Sequence, residues 1–135
     1  MNSLAYLVGK PWQAGAEGPA AFDCYGLARY VMAQRGVAMP AIGFTGELLP
    51  DLARGAHELS HLPASWKRVP EPLPGCVVLM GRRGSFEPVW THVGVWCDAE
   101  RVVLHSMRGR GVVATALAGL GQLGFTAVAF YKPTA

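Results

Sequence analysis

The chain has 135 residues, 51% of them hydrophobic and 16% charged, which suits one globular domain over residues 1–135 and excludes a disordered chain. Its formal charge of +3 comes from 12 Lys and Arg against 9 Asp and Glu, scattered and without interleaved aromatics, so the dense basic footprint of a nucleic-acid binder is missing. No apolar run reaches the roughly 18 to 20 residues that span a bilayer, and residues 1–15 lack the pattern of a secretory signal, so the expectation is synthesis in the cytoplasm, without a signal peptide or a membrane span.

A short helix is expected over 3–8, then a Gly- and Ala-rich loop over 9–21. The clearest helix covers 24–35, where Cys24, Leu27, Ala28 and Val31 follow the i, i+3, i+4, i+7 spacing of one buried face. Asp23 is a favoured N-cap, Phe22 and Leu27 are placed for a hydrophobic staple, and Gly36 supplies a left-handed stop. A second helical stretch is predicted over 47–60, weakened by Pro50 and Gly55. Pro63, Pro70, Pro72 and Pro74 exclude helix and mark an extended connector. Strand-like runs follow at 76–80, 92–97, 101–106, 112–117 and 126–131, most of them parted by Gly-rich turns, which predicts an antiparallel meander. Helices followed by strands give an α+β fold, with the Cys24 helix packed on a sheet of about five strands.

Three cysteines, Cys24, Cys76 and Cys97, form no CxxC pair, so neither a zinc knuckle nor a thioredoxin-like motif is available. Cys76 and Cys97 lie in apolar, strand-like runs and read as small buried hydrophobes. Cys24 differs. Behind an Asp23 cap it is the first helical residue, where unpaired N–H groups lower a thiol's pKa and can steady a developing oxyanion. On the helix alone, a core cysteine at a helix start remains the alternative.

The histidines add to this. The run from His92 to Cys97 alternates so that Val93, Val95 and Cys97 share one face, and His92, Gly94 and Trp96 the other. In the next run Val103 and His105 share a face. A two-residue turn at Asp98 and Ala99 pairs His92 with His105, and a four-residue loop pairs Gly94 with His105. A three-residue loop without a bulge puts the histidines on opposite faces. Two imidazoles on one face supply a base and a group that orients it through its far nitrogen, the logic of a catalytic triad. Taken alone, such a pair also fits surface residues or a partial metal site.

The segment Phe22-Asp23-Cys24-Tyr25-Gly26-Leu27 resembles the nucleophile motif of NlpC-type cell-wall peptidases, a papain-like cysteine peptidase family whose usual form is Asp-Cys-Ser-Gly-Leu. Pro74-Gly75 with Val77-Val78-Leu79-Met80 resembles the family's Pro-Gly-Asp strand. Thr91-His92-Val93-Gly94-Val95 resembles the strand of the base, and Leu104-His105-Ser106 that of the orienting residue. Gly9-Lys10-Pro11-Trp12 is similar to the segment before the nucleophile, and Trp12 with residues 111–133 resembles the version found in bacteriophage tail proteins. The likeness covers nearly the whole chain, in order and spacing.

The resemblance implies a papain-like α+β domain that hydrolyses an amide in peptidoglycan stem peptides, typically the D-glutamyl bond to a diamino acid. Cys24 would attack, His92 would be the base and His105 would orient it. Trp12, Asp23 and Tyr25 would face the substrate, Asp23 pairing with a free peptide amine. Neither metal nor cofactor is needed. The phage-tail version further implies phage tail proteins as partners, and a virion tail or other phage-like particle as the location.

Three positions depart from the pattern. Tyr25 stands where many members have Ser, narrowing the space beside the thiol. Trp12 stands where many have Tyr, and its indole can donate but not accept. Cys76 replaces the usual Asp, removing a carboxylate that anchors the loop before its strand. Outside the likeness, His57-Glu58-Leu59-Ser60-His61 matches the HExxH signature of zinc peptidases. Gly55 and Pro63 leave that helix barely long enough, and no following helix offers a third ligand, so an exposed polar helix end is preferred. The remaining alternative is a catalytically idle tail or cell-wall binding module; binding alone needs none of Cys24, His92 and His105.

Overall fold

The computed structural model describes residues 4–39, 66–86 and 88–133. The helical stretch expected over 47–60 and the HExxH motif lie outside these residues. The described residues form a 3-10 turn at Ala5–Leu7, helix α1 (Cys24–Gln34), and strands β1 (Trp66–Val69), β2 (Val77–Arg82), β3 (Val89–Cys97), β4 (Val102–Met107), β5 (Gly111–Ala116) and β6 (Ala127–Pro133). Two further 3-10 turns, Leu117–Gly119 and Gly121–Leu123, precede β6. No helix among the described residues is long and apolar enough to cross a membrane.

Helix α1 begins at Cys24 because extended Asp23 accepts the Gly26 N–H at 2.6 Å, satisfying one of the orphan donors of the first turn. It ends at Gln34, and Gly36 at φ +80° turns the chain away. Its stripe of Leu27, Ala28, Val31 and Met32 is fully buried and packs on β3 and β4.

The strands form one sheet in the order β1-β6-β2-β3-β4-β5, with every neighbouring pair antiparallel. The α+β class holds, with six strands instead of about five. The additional strand is β1, which lies in the stretch read as an extended connector and pairs with β6 from Trp66↔Pro133 to Val69↔Phe130. Nor is the sheet a plain meander. Strands β2 to β5 follow one another, but β6 returns to the far side of β2 and lies between it and β1. At the opposite edge, Val112 of β5 bonds backward to the N-terminal segment: Gly9 N–H donates to Val112 O and Val112 N–H to Lys10 O, both at 2.9 Å.

Both faces of the sheet are covered. Val77, Leu79, Val93, Val95 and Leu104 meet α1. Cys76, Val78, Met80, Trp96 and Val103 form a second cluster, closed by Leu120. This is why Val77-Val78-Leu79-Met80 is an unbroken apolar run, since alternation disappears where both faces are buried. Each such side chain removed from water contributes roughly 1.5–3 kcal/mol. Cys76 is fully buried in the second cluster, so at this position the chain packs a hydrophobe where the related pattern has a carboxylate.

Candidate active site

Cys97 pairs with Val102, so the loop joining β3 to β4 has four residues, 98–101. A loop of this length sets Gly94 across from His105 and keeps both histidines on one face. Their rings meet: His92 Nε2 lies 2.9 Å from His105 Nδ1, with the planes at 79°. Gly94 permits the approach. A Cβ there would fall 2.8 Å from Leu104 O and 3.0 Å from His105 Cβ, so a side chain would push β4 and its histidine away. His92 also stacks on Phe125, with centroids 5.1 Å apart and planes at 8°. His105 Nε2 lies 2.9 Å from Thr115 Oγ1 on β5.

Strands β3 and β4 pair only from Val95↔Leu104 to Cys97↔Val102. Past that point the start of α1 ties the two strands. On the β4 side, Ser106 Oγ donates to Phe22 O at 2.8 Å. On the β3 side, the Val93 N–H points at the Cys24 sulfur. The thiol therefore sits beside the residue that follows His92. The Asp-Cys-Tyr-Gly segment is also locked to the loop before it. Asp23 Oδ2 accepts the Gly15 N–H at 2.9 Å, and Asp23 N–H donates to Ala16 O at 2.9 Å. A Cβ at Gly26 would collide with that same Ala16 oxygen.

The structure thus places Cys24 against the strand of His92, and the His92 ring against His105. The three residues expected to face a substrate are placed differently from one another. Trp12 is partly buried, forms a β-bridge with Phe22, and holds the Arg108 guanidinium 5.7 Å from its ring centroid. Asp23 is 3% exposed, its carboxylate held by the backbone amides of Gly26, Gly15 and Tyr25. Tyr25 is 4% exposed and belongs to the core under α1.

Burial sets the ionisation. It pushes the Cys24 thiol up to about 12, helped by the neighbouring Asp23 charge and opposed by the N–H groups of Val93, Tyr25 and Cys24 itself. The lowered thiol expected at a helix start is therefore not what the resting structure has, because lost solvation outweighs the helix N–H groups. Burial also lowers His92 to about 3, with repulsion from His105 adding to it, and lowers His105 to about 4. At neutral pH the site holds a thiol and two neutral imidazoles, each with one N–H donor and one acceptor nitrogen. Since His92 Nε2 is engaged with His105, its Nδ1 is the atom left to take a proton. Among the described residues no group of three His, Cys, Asp or Glu is placed to hold a metal ion.

Sequence reasoning does not find Ser106, Thr115 or Phe125. Ser106 carries a signal, because alternation in β4 turns it to the face opposite His105, where a buried hydroxyl needs a partner. Thr115 and Phe125 carry none, since their positions depend on the register of β5 and on the turns before β6.

Over residues 9–122 the chain matches a model of the NlpC/P60 family. Among solved structures it is similar to a Staphylococcus aureus subsp. aureus Mu50 protein described as similar to a lipoprotein of the NLP/P60 family, with a TM-score of 0.54 at 17% identity. The match covers 92% of this chain and 37% of that one, so it speaks for the fold, and this chain spans well under half the length of that protein. No curated protein matches the sequence.

Proposed function

The chain belongs to the NlpC/P60 family, whose members are generally cysteine peptidases or amidases and which points to hydrolysis in the cell wall; on that premise we propose that it hydrolyses an amide of peptidoglycan stem peptides, the D-glutamyl bond to a diamino acid, through Cys24. The observation that carries the reading is the junction of α1 with β3. Cys24 sits against Val93, and the adjacent His92 is hydrogen-bonded at 2.9 Å to His105.

This geometry supports a two-step thiol reaction. Cys24 Sγ attacks the carbonyl carbon while its proton passes to His92 Nδ1. Because the resting pair is neutral, transfer accompanies attack and does not precede it. The carbonyl electrons become an oxyanion facing the N–H groups at the start of α1. Its collapse breaks the C–N bond, and the leaving amine takes the proton from His92. Water then attacks the thioester, giving its proton to His92, and the second collapse returns the thiol. His105 holds the His92 ring and its N–H direction throughout.

Trp12, the substrate-facing candidate with exposed surface, contacts the stem peptide, while Asp23 acts by fixing the loop around Gly15. Association with a phage tail is part of the proposal and rests on the sequence likeness of Trp12 and residues 111–133. The test is incubation of the protein with stem peptides and mass spectrometry of the products, with iodoacetamide and chelator controls. Cleavage lost on alkylation and kept on chelation is expected. Cleavage lost on chelation alone would overturn the thiol mechanism. The second reading, an idle wall-binding module, is favoured by one observation, the burial of the Cys24 thiol, which pushes its pKa up; binding to peptidoglycan without any product would establish it.

A further inference from the structure

The hydrogen-bonded chain does not stop at His105. Thr115 Oγ1 on β5 lies 2.9 Å from His105 Nε2, as close as His92 Nε2 lies to His105 Nδ1. Two neutral imidazoles and a hydroxyl in a row can be wired in only two directions. In one, Thr115 donates to His105 Nε2, His105 Nδ1–H donates to His92 Nε2, and the His92 proton sits on Nδ1. In the other, His92 Nε2–H donates to His105 Nδ1, His105 Nε2–H donates to Thr115 Oγ1, and His92 Nδ1 is a bare acceptor. Only the second direction leaves His92 able to take the thiol proton.

We propose that Thr115 is a positioning residue that sets the direction of the His92–His105 chain, accepting the His105 Nε2–H and so keeping the acceptor lone pair of His92 on Nδ1. The inference rests on the reading of His92 as the base. The threonine's own hydrogen turns to solvent, which its partial exposure allows. His105 is fully buried, so without an acceptor on β5 its Nε2–H would be stranded away from water. The proton would then favour Nδ1, reversing both bonds and closing His92 Nδ1 as a base. Both histidines are held neutral at pH 7 by burial, so each has a definite tautomer there. A chain of this kind also polarises along its length, so the hydroxyl strengthens His92 as a proton acceptor from two residues away.

The test is long-range 15N–1H NMR of the histidine rings in the full chain at pH 7, comparing wild type with Thr115→Val and Thr115→Ser, together with turnover of stem peptide. Wild type and Thr115→Ser are expected to carry both ring protons on Nε2. Thr115→Val is expected to move them to Nδ1 and to lower kcat about tenfold with KM unchanged. Unchanged tautomers in Thr115→Val would overturn the inference, as would a Thr115→Ser variant that behaves like Thr115→Val. If the tautomers shift as stated while wild type cleaves no stem peptide, the direction assigned to the chain stands and the proposed reaction falls.

Discussion

A thiol pushed up to about 12 and 3% exposed meets alkylating agents slowly. Iodoacetamide should label Cys24 at neutral pH at least about tenfold more slowly than an ordinary cysteine of pKa about 8.5, with the rate still climbing above pH 9. A rate that levels off near pH 7 would instead reveal a preformed thiolate. Removing either reacting group should be far more damaging. Cys24→Ala and His92→Ala are each expected to lower turnover roughly ten-thousandfold with the fold retained by circular dichroism. His105→Ala should leave a remnant of about one part in a hundred, because it orients the base without taking the proton. The same histidines make stability depend on pH. Their folded pKa values, about 3 and about 4, lie below the ordinary 6.5. The unfolded chain therefore binds protons that the folded one refuses. Their contribution is complete above about 6.5 and is lost as pH falls towards 4 and 3. The urea midpoint should drop between pH 7 and pH 4, less steeply in His105→Asn; equal midpoints at both pH values would contradict the burial of these rings.

Whole elements are held in place by single contacts that substitutions can reach. Gly94→Ala would drive a methyl group into Leu104 O and the His105 side chain, with an expected cost of about 1–3 kcal/mol and a loss of turnover beyond what stability explains. Ser106→Ala would leave the Phe22 carbonyl, tied to β4 by a 2.8 Å bond, without that donor. A loss of about 1–3 kcal/mol is expected in urea titration. Helix α1 is legible in the sequence because cap, apolar stripe and glycine stop all fall at the same boundaries. The predicted helix over 3–8 shrinks to the 3-10 turn Ala5–Leu7, since six residues without a cap cannot sustain a nucleus. The strand read as starting at His92 in fact starts at Val89. The pairing of β2 with β3 shifts register between Met80 and Gly81, leaving Thr91 as an extra residue. Such a bulge breaks alternation at its own position, so the pattern becomes readable only after it.

At the scale of the molecule, the site was more legible than the sheet that carries it. Cys24, His92 and His105 each sit in a short motif with its own local logic, whereas strand order is decided by contacts far apart in sequence. Residues 126–131 read as the next strand of a meander. The two 3-10 turns instead carry the chain across the second face, where Leu120 is buried, and deliver β6 between β2 and β1. Nothing local encodes that return. It makes β6 indispensable: a chain ending before Ala127 would leave β2 without one of its two neighbours and β1 without its only one among the described residues. Such a truncation is expected to lose cooperative urea unfolding and its near-ultraviolet aromatic signal; a sharp transition would show that β6 is an accessory. The bonds from Val112 to Gly9 and Lys10 have a different kind of consequence. An exposed strand edge is a template on which other molecules can polymerise, and here Gly9 and Lys10 occupy the outer carbonyl and amide of Val112, near the start of β5. At the other end of the sheet, β1 presents the exposed charges of Lys67 and Arg68, which repel a like strand from a second copy. Backbone bonded at Val112 shortens the free border at one end and charge guards the other, so crowding many copies together, as on a surface or in a particle, is disfavoured as a seed of fibrils.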